Sequence, residues 1–250
     1  MESVQRLVAE SLNTDETTAM VILAAALLLF LFLLITTFFF RKGGKGQEQV
    51  LLLGLSDAGK THLFLNLVTN PRCDEGRATT TYTSLQENCY KDVLLAEGAK
   101  PFNLVDVPGA EKLGGQAMAK YLGSGGGLGS VRAILFVLDA ASFTKNLKDV
   151  AELLYQLLLY RKAARPPLAI LCHKQDLPTA KAPQVIRASL EKEFGLLERT
   201  RSAALDSTSQ EASARLLGSV DWNSLAFLPT SGLPNAEHNL RPLRQWLTAL

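Results

Sequence analysis

The run Gly54-Leu55-Ser56-Asp57-Ala58-Gly59-Lys60-Thr61 narrows the folds open to this chain more than any other feature. It fits the pattern G-x-x-x-x-G-K-[ST], which works only with a strand before it and a helix after it. Val50–Leu53 is a continuous apolar run, and residues 61–69 carry a helical pattern, so both are in place. The chemistry explains the residues. Glycines let backbone N–H groups curl around a phosphate, and the helix aims its positive end at it. Lys60 neutralises the β and γ oxygens, and the Thr61 hydroxyl suits Mg²⁺. His62, next along the helix, belongs to the same candidate site.

The rest of the chain continues the alternation. Val93–Ala96, Phe102–Asp106, Ile134–Asp139, Leu168–Cys172 and Ala226–Leu228 read as further strands, with helical stretches at about 116–122, 146–161, 183–194 and 240–249. Continuous apolar strands separated by helices predict an α/β domain, a mostly parallel sheet with helices on both faces. Sheets of this kind bind ligands at the carboxyl ends of their strands, so the turns there carry the next clues. Two stretches stand apart: Gly123–Ser130 is a loop by composition, and residues 199–221 read as an inserted surface loop.

A phosphate loop serves ATP and GTP alike, and the later turns favour guanine. Asp106-Val107-Pro108-Gly109 ends the third strand and fits D-x-x-G, with Asp106 placed to hold Mg²⁺ through water and the Gly109 N–H to meet a γ-phosphate. Cys172-His173-Lys174-Gln175-Asp176 stands where N-K-x-D is expected, with His173 in place of Asn. The Asp176 carboxylate can accept from guanine N1–H and the 2-amino group together, a pair adenine lacks. Lys174 would lay its stem along the base. Thr230-Ser231-Gly232 follows the last strand, where a backbone N–H could meet guanine O6. Thr79-Thr80-Thr81 lies between the first helix and second strand, and Thr80 is the expected hydroxyl for Mg²⁺, with Thr81 beside it. These motifs predict a P-loop small GTPase domain of the Ras/Arf-like class, with GTP and Mg²⁺ as its ligands.

Thr17–Phe40 is 24 residues without a charge. As a helix it would reach about 36 Å, enough for a hydrocarbon core of about 30 Å. The acidic start, the length of the run and Phe38-Phe39-Phe40 before Arg41-Lys42 argue against a cleaved signal peptide. With Arg41, Lys42 and Lys45 on its C-terminal side, the expected arrangement is residues 1–16 lumenal, 17–40 spanning, 41–47 a linker containing Gly43-Gly44-Lys45-Gly46, and 48–250 cytosolic. A net charge of +2 is too small to argue for nucleic acid, so no direct nucleic-acid readout is expected. Cys73, Cys89 and Cys172 are odd in number and lack C-x-x-C spacing, which reads as reduced thiols.

With these motifs in place, the chain resembles the β-subunit family of the signal recognition particle receptor, over about residues 18–250. The marks are the phosphate loop behind an anchor, Lys148-Asp149-Val150-Ala151-Glu152 followed by Leu-Tyr-Gln, and Arg199-Thr200-Arg201-Ser202-Ala203-Ala204. The resemblance implies a place in the endoplasmic reticulum membrane and a heterodimer with the receptor's α subunit, held in a GTP-dependent way for co-translational targeting. Membrane lipid is expected around the anchor, and the ribosome or translocon as further partners. Ala110 departs from the family, which has His there, and from Ras-like proteins, which have Gln; a methyl group cannot orient water. A binding module with slow hydrolysis is therefore expected. The alternatives are a self-cycling, membrane-tethered Arf-like GTPase and a tethered P-loop kinase, the latter opposed by Asp176 and the lack of an Arg cluster after D-x-x-G.

Overall fold

The computed structural model describes residues 16–41, 48–69, 80–84, 86–96, 98–109, 111–122, 131–164, 166–204, 220–233 and 239–250. Thr79, Ala110, Gly123–Ser130, the Gly43–Gly46 linker and residues 205–219 of the expected insert lie outside them. The chain divides into two compact units, Met1–Gly46 and Gln47–Leu250.

In the first unit, α1 (Glu16–Arg41) is a 26-residue helix whose described residues are all exposed. Among the described residues no helix is long and apolar enough to cross a membrane. Several α1 side chains fall outside that description, including positions 19, 20, 23 and 35–41. Its backbone is nonetheless unbroken, about 39 Å long at about 1.5 Å per residue.

The second unit is built on a six-stranded sheet. Its elements in chain order are β1 (Gln49–Leu53), α2 (Lys60–Thr69), β2 (Asn88–Val93), β3 (Phe102–Asp106), α3 (Glu111–Leu122), β4 (Val131–Asp139), α4 (Leu147–Ala164), β5 (Leu168–His173), α5 (Pro183–Ala204), β6 (Ala226–Pro229) and α6 (Arg241–Thr248). The sheet order is β2-β3-β1-β4-β5-β6. Four pairings are parallel, and β2 alone runs antiparallel, against β3.

Period-two alternation explains why both faces are covered. Leu51, Leu53, Ile134, Phe136, Leu138, Ile170 and Cys172 point to one side, where Met118 of α3, Leu154 of α4 and Leu190 of α5 pack on them. Val50, Leu52, Ala133, Leu135, Val137, Ala169 and Leu171 point to the other, under Leu63 and Leu67 of α2 and Leu243 and Leu247 of α6. Each such fully buried aliphatic side chain is worth about 1.5–3 kcal/mol relative to exposure. Register then aligns the carboxyl ends, with Leu52 beside both Asp106 and Leu135, Asp139 beside His173, and Cys172 beside Pro229. Because β3 and β4 lie on opposite sides of β1, the chain leaves β1 at a topological switch point, where such sheets hold ligands.

Two elements differ from expectation. The second strand is Asn88–Val93 rather than Val93–Ala96. As an edge strand it buries only Val93, so it lacks the apolar run that betrays an inner strand. The helix expected over 183–194 continues to Ala204, into the stretch expected to loop out from 199. Arg and Ala in that stretch are good helix formers, and composition there was a poorer guide than propensity.

Candidate functional site

The phosphate loop turns sharply at two glycines. Gly54 has φ 149° and a Cβ there would collide with the Val137 carbonyl; Gly59 has φ 94° and a Cβ there would lie 2.4 Å from Cδ2 of His173. Neither position admits a side chain. Lys60 opens α2 and is buried, its Nζ donating to the Leu55 carbonyl at 2.8 Å. Burial lowers its pKa from the usual lysine value, opposed by the charges of Asp106 and Asp57. Gly109 comes in from β3 so closely that a Cβ would meet the Ser56 amide nitrogen and Lys60 Nζ.

Beside the loop is a corner of oxygen atoms. Thr61 Oγ1 donates to Asp106 Oδ2 at 2.7 Å and lies 3.0 Å from Ser84 Oγ. Asn88 Nδ2 donates to both Asp106 Oδ2 and Ser84 Oγ at 3.3 Å. Asp106 is fully buried, its Oδ1 has no hydrogen-bond partner among the described residues, and burial raises its pKa against the pull of Thr61, Asn88 and Lys60. A buried carboxylate with an idle oxygen next to two hydroxyls suits a hard cation. No cluster of three or more His, Cys, Asp or Glu side chains is found among the described residues. Mg²⁺ takes one or two carboxylates and completes its shell with water and phosphate.

The opposite end of the site is set by β5 and β6. Lys174, at φ 64°, sends Nζ to the Asp57 carbonyl and to Asp139 Oδ2, both at 2.7 Å. Burial pushes the Asp139 carboxyl up, but Lys174 and the Ser142 and Ala141 amides outweigh it and hold the group below its usual range. Ser231 Oγ donates to Asp176 Oδ1 in a short bond, and accepts from the Leu233 amide. Asp176 thus stands exposed but held. His173 is buried, with Nδ1 3.1 Å from Thr230 Oγ1. Burial, with the electrostatic push of His62 and Lys174, brings its pKa down to about 4. His62 lies across from it, ring centroids 6.3 Å apart, and fills the space over Gly232 that a Cβ would need.

All of this opens on one cavity of about 680 Å³. A family model for the signal recognition particle receptor beta subunit matches residues 45–227, most of the chain. This chain belongs to the signal recognition particle receptor beta subunit family. The human receptor subunit beta is 40% identical over 168 residues, 65% of this chain and 58% of that protein, so the chain spans little more than half the length of the curated relatives it matches. The mammalian SRP receptor structure aligns over 81% of this chain and 99% of its own, at TM-score 0.61 and 34% identity. The SRb-GTP/SRX complex of Chaetomium thermophilum aligns over 81% and 98%, at TM-score 0.63 and 23% identity, which speaks to the fold alone.

For a member of the receptor beta family, the cavity gathers most of the residues singled out by sequence. Ser56, Asp57, Gly59, Lys60, Thr61 and His62 line one part; Thr80, Thr81 and Gly109 a second; His173, Lys174, Asp176 and Gly232 a third. Gly54, Leu55, Ala58, Asp106 and Ser231 stand behind the lining and shape or hold it. Thr80 is exposed at the rim, and the hydroxyl beside Thr61 belongs to Ser84 instead. Sequence reasoning missed Ser84, Asn88 and Asp139, which no local pattern marks, and placed Thr230 only within the turn after the last strand.

Proposed function

We propose that this chain is a membrane-anchored, GTP-binding subunit of the signal recognition particle receptor, holding the α subunit at the endoplasmic reticulum in a GTP-dependent way. The observation that carries the guanine reading is Asp176, a carboxylate fastened by Ser231 and facing the same cavity as Lys60 and Thr61. It suits guanine's N1–H and 2-amino donors at one end while the phosphate loop takes the polyphosphate at the other. Mg²⁺, when bound, would neutralise phosphate charge; Thr61 and Asp106 would hold it, with Ser84 nearest to them. Thr80 and Gly109 remain the groups proposed to sense the γ-phosphate, each in a segment without regular structure, able to order on binding.

The binding-module reading is favoured over a self-cycling Arf-like GTPase because Ala110 offers no hydrogen bond to an attacking water. Extraction of nucleotide from the purified protein, followed by chromatography, tests the ligand: guanine nucleotide is expected, and adenine nucleotide alone would refute the reading. Capture of the α subunit's N-terminal region should be strongest with GTP loaded; equal capture with GTP, GDP or nothing would place the contact away from the switches. The run Thr17–Phe40 and its basic flank support a single span with the lumenal N-terminus. Protease added to intact microsomes should digest residues beyond 41 and spare the first 16. Lipid around the span and the ribosome or translocon nearby complete the proposed setting.

A further inference from the structure

The amino end of β2 has little apolar burial to hold it. Five of the strand's six residues are exposed, and it pairs on one side, with β3. Yet Ser84 and Asn88, at this end, are the residues set against Thr61 and Asp106. A segment so thinly packed needs polar contacts to fix its position.

Glu87 supplies them from outside the cavity. Consecutive side chains of an extended chain point to opposite sides. Asn88 turns to Asp106, and Glu87 turns to α3. Its Oε2 accepts from Lys120 Nζ at 2.6 Å and from the Tyr121 hydroxyl at 3.0 Å. The Lys120 ammonium also sits 4.7 Å from the centre of the Tyr121 ring. Both donors lie in the last turn of α3, and that turn is itself fixed. Met118 and Leu122 are buried in the first apolar layer, and the Tyr121 ring packs against it. Neither Glu87 nor its two donors line the cavity. One carboxylate thus fastens an exposed strand end to a buried helix end.

We propose that Glu87 is a positioning residue for the Mg²⁺ site, clasped by Lys120 and Tyr121 so that Ser84 and Asn88 stay on Thr61 and Asp106. Thr61 and Asn88 both donate to Asp106 Oδ2, which leaves Oδ1 for the cation. With the clasp open, Asn88 lets go and the carboxylate loses the orientation that presents Oδ1. The end of α3 therefore sets the cation affinity of a corner that Lys120 and Tyr121 do not touch. The inference rests on the nucleotide and Mg²⁺ reading above, and the test separates the two.

Calorimetry of the full chain in detergent measures GTP affinity over a series of Mg²⁺ concentrations and in EDTA. An exposed ion pair and one neutral hydrogen bond together correspond to about fivefold in an equilibrium constant. Glu87→Ala should raise the Mg²⁺ concentration at half-effect about fivefold and leave GTP affinity in EDTA unchanged. Tyr121→Phe keeps the ring and loses the hydroxyl, and should give a smaller shift in the same direction. Exchanging the charges, Glu87→Lys with Lys120→Glu, should recover much of the loss. Hydrogen exchange at the Ser84 and Asn88 amides of the nucleotide-free protein should quicken in Glu87→Ala. An unchanged Mg²⁺ half-effect, or affinity lost equally with and without Mg²⁺, overturns the proposal while leaving the guanine reading intact. Unsubstituted protein that binds no guanine nucleotide overturns both.

Discussion

Lowering the pH from about 7 to about 5 tests how firmly the fold holds His173 neutral. In the unfolded chain its pKa is near the ordinary 6.5, and in the folded protein burial brings it down to about 4. A folded pKa below the unfolded one means that the unfolded chain binds the proton more tightly. The stability that the neutral ring contributes is therefore present above about pH 6.5 and lost as pH falls toward 4. The whole difference is about 3 kcal/mol, of which about 2 kcal/mol should be gone by pH 5. Carboxylates titrate over the same range, so the comparison needed is with His173→Asn, which shares them and lacks the imidazole. Urea denaturation at about pH 7, 6 and 5 gives the two stabilities. Tryptophan fluorescence suits the readout because Trp222 stacks edge-on against Phe194 and Trp246 packs against the second apolar layer. The gap between the two proteins should shift by about 2 kcal/mol in favour of His173→Asn on acidification. Curves that stay parallel from pH 7 to pH 5 would refute the account, because they would mean that the ring protonates as easily folded as unfolded.

Asp176→Asn puts a donor where guanine presents its 2-amino group, and should weaken GTP binding by roughly 100-fold through two lost charge-assisted bonds while improving XTP binding; a competition assay with unchanged GTP/XTP preference would remove the residue from the site. Lys60→Ala deletes the loop's own cation and leaves the Leu55 carbonyl without it, so calorimetry should find tight nucleotide binding abolished. Intrinsic hydrolysis should be slow because Ala110 cannot hold water; single-turnover rates near those of GAP-stimulated Ras, about 10 per second, would mean that another residue does so.

How far the sequence could be read depended on whether a residue's role was local. The phosphate loop was legible because eight consecutive residues carry it, and Asp106 because a strand delivers it to the same sheet end. Ser84 and Asn88 were not, since their meaning lies in contacts with Thr61 and Asp106, 23 and 18 residues away. Thr230 was placed only as part of a turn, its grip on a histidine 57 residues earlier being invisible in the chain. Asp139 looked like an ordinary strand end, and its partner Lys174 was assigned to the base rather than to the protein. The edge strand β2 hid for another reason: with five exposed residues and a register shift between Tyr90 and Val93, it shows neither an apolar run nor clean alternation.

The Lys174 ammonium has a consequence for how a nucleotide leaves. It ties the Asp57 carbonyl of the phosphate loop to the end of β4, and its own backbone sits between His173 and Asp176. The two halves of the cavity therefore do not loosen one at a time. In the guanine reading proposed above, a base that lifts off Asp176 would tug on the residue that props the phosphate loop, and a loop that opens must first shed a charged bond at 2.7 Å. Energies of substitutions at the two ends should then fail to add, with the coupling lost when Lys174 is shortened. Such a site would favour long residence over quick turnover, as the role proposed above requires.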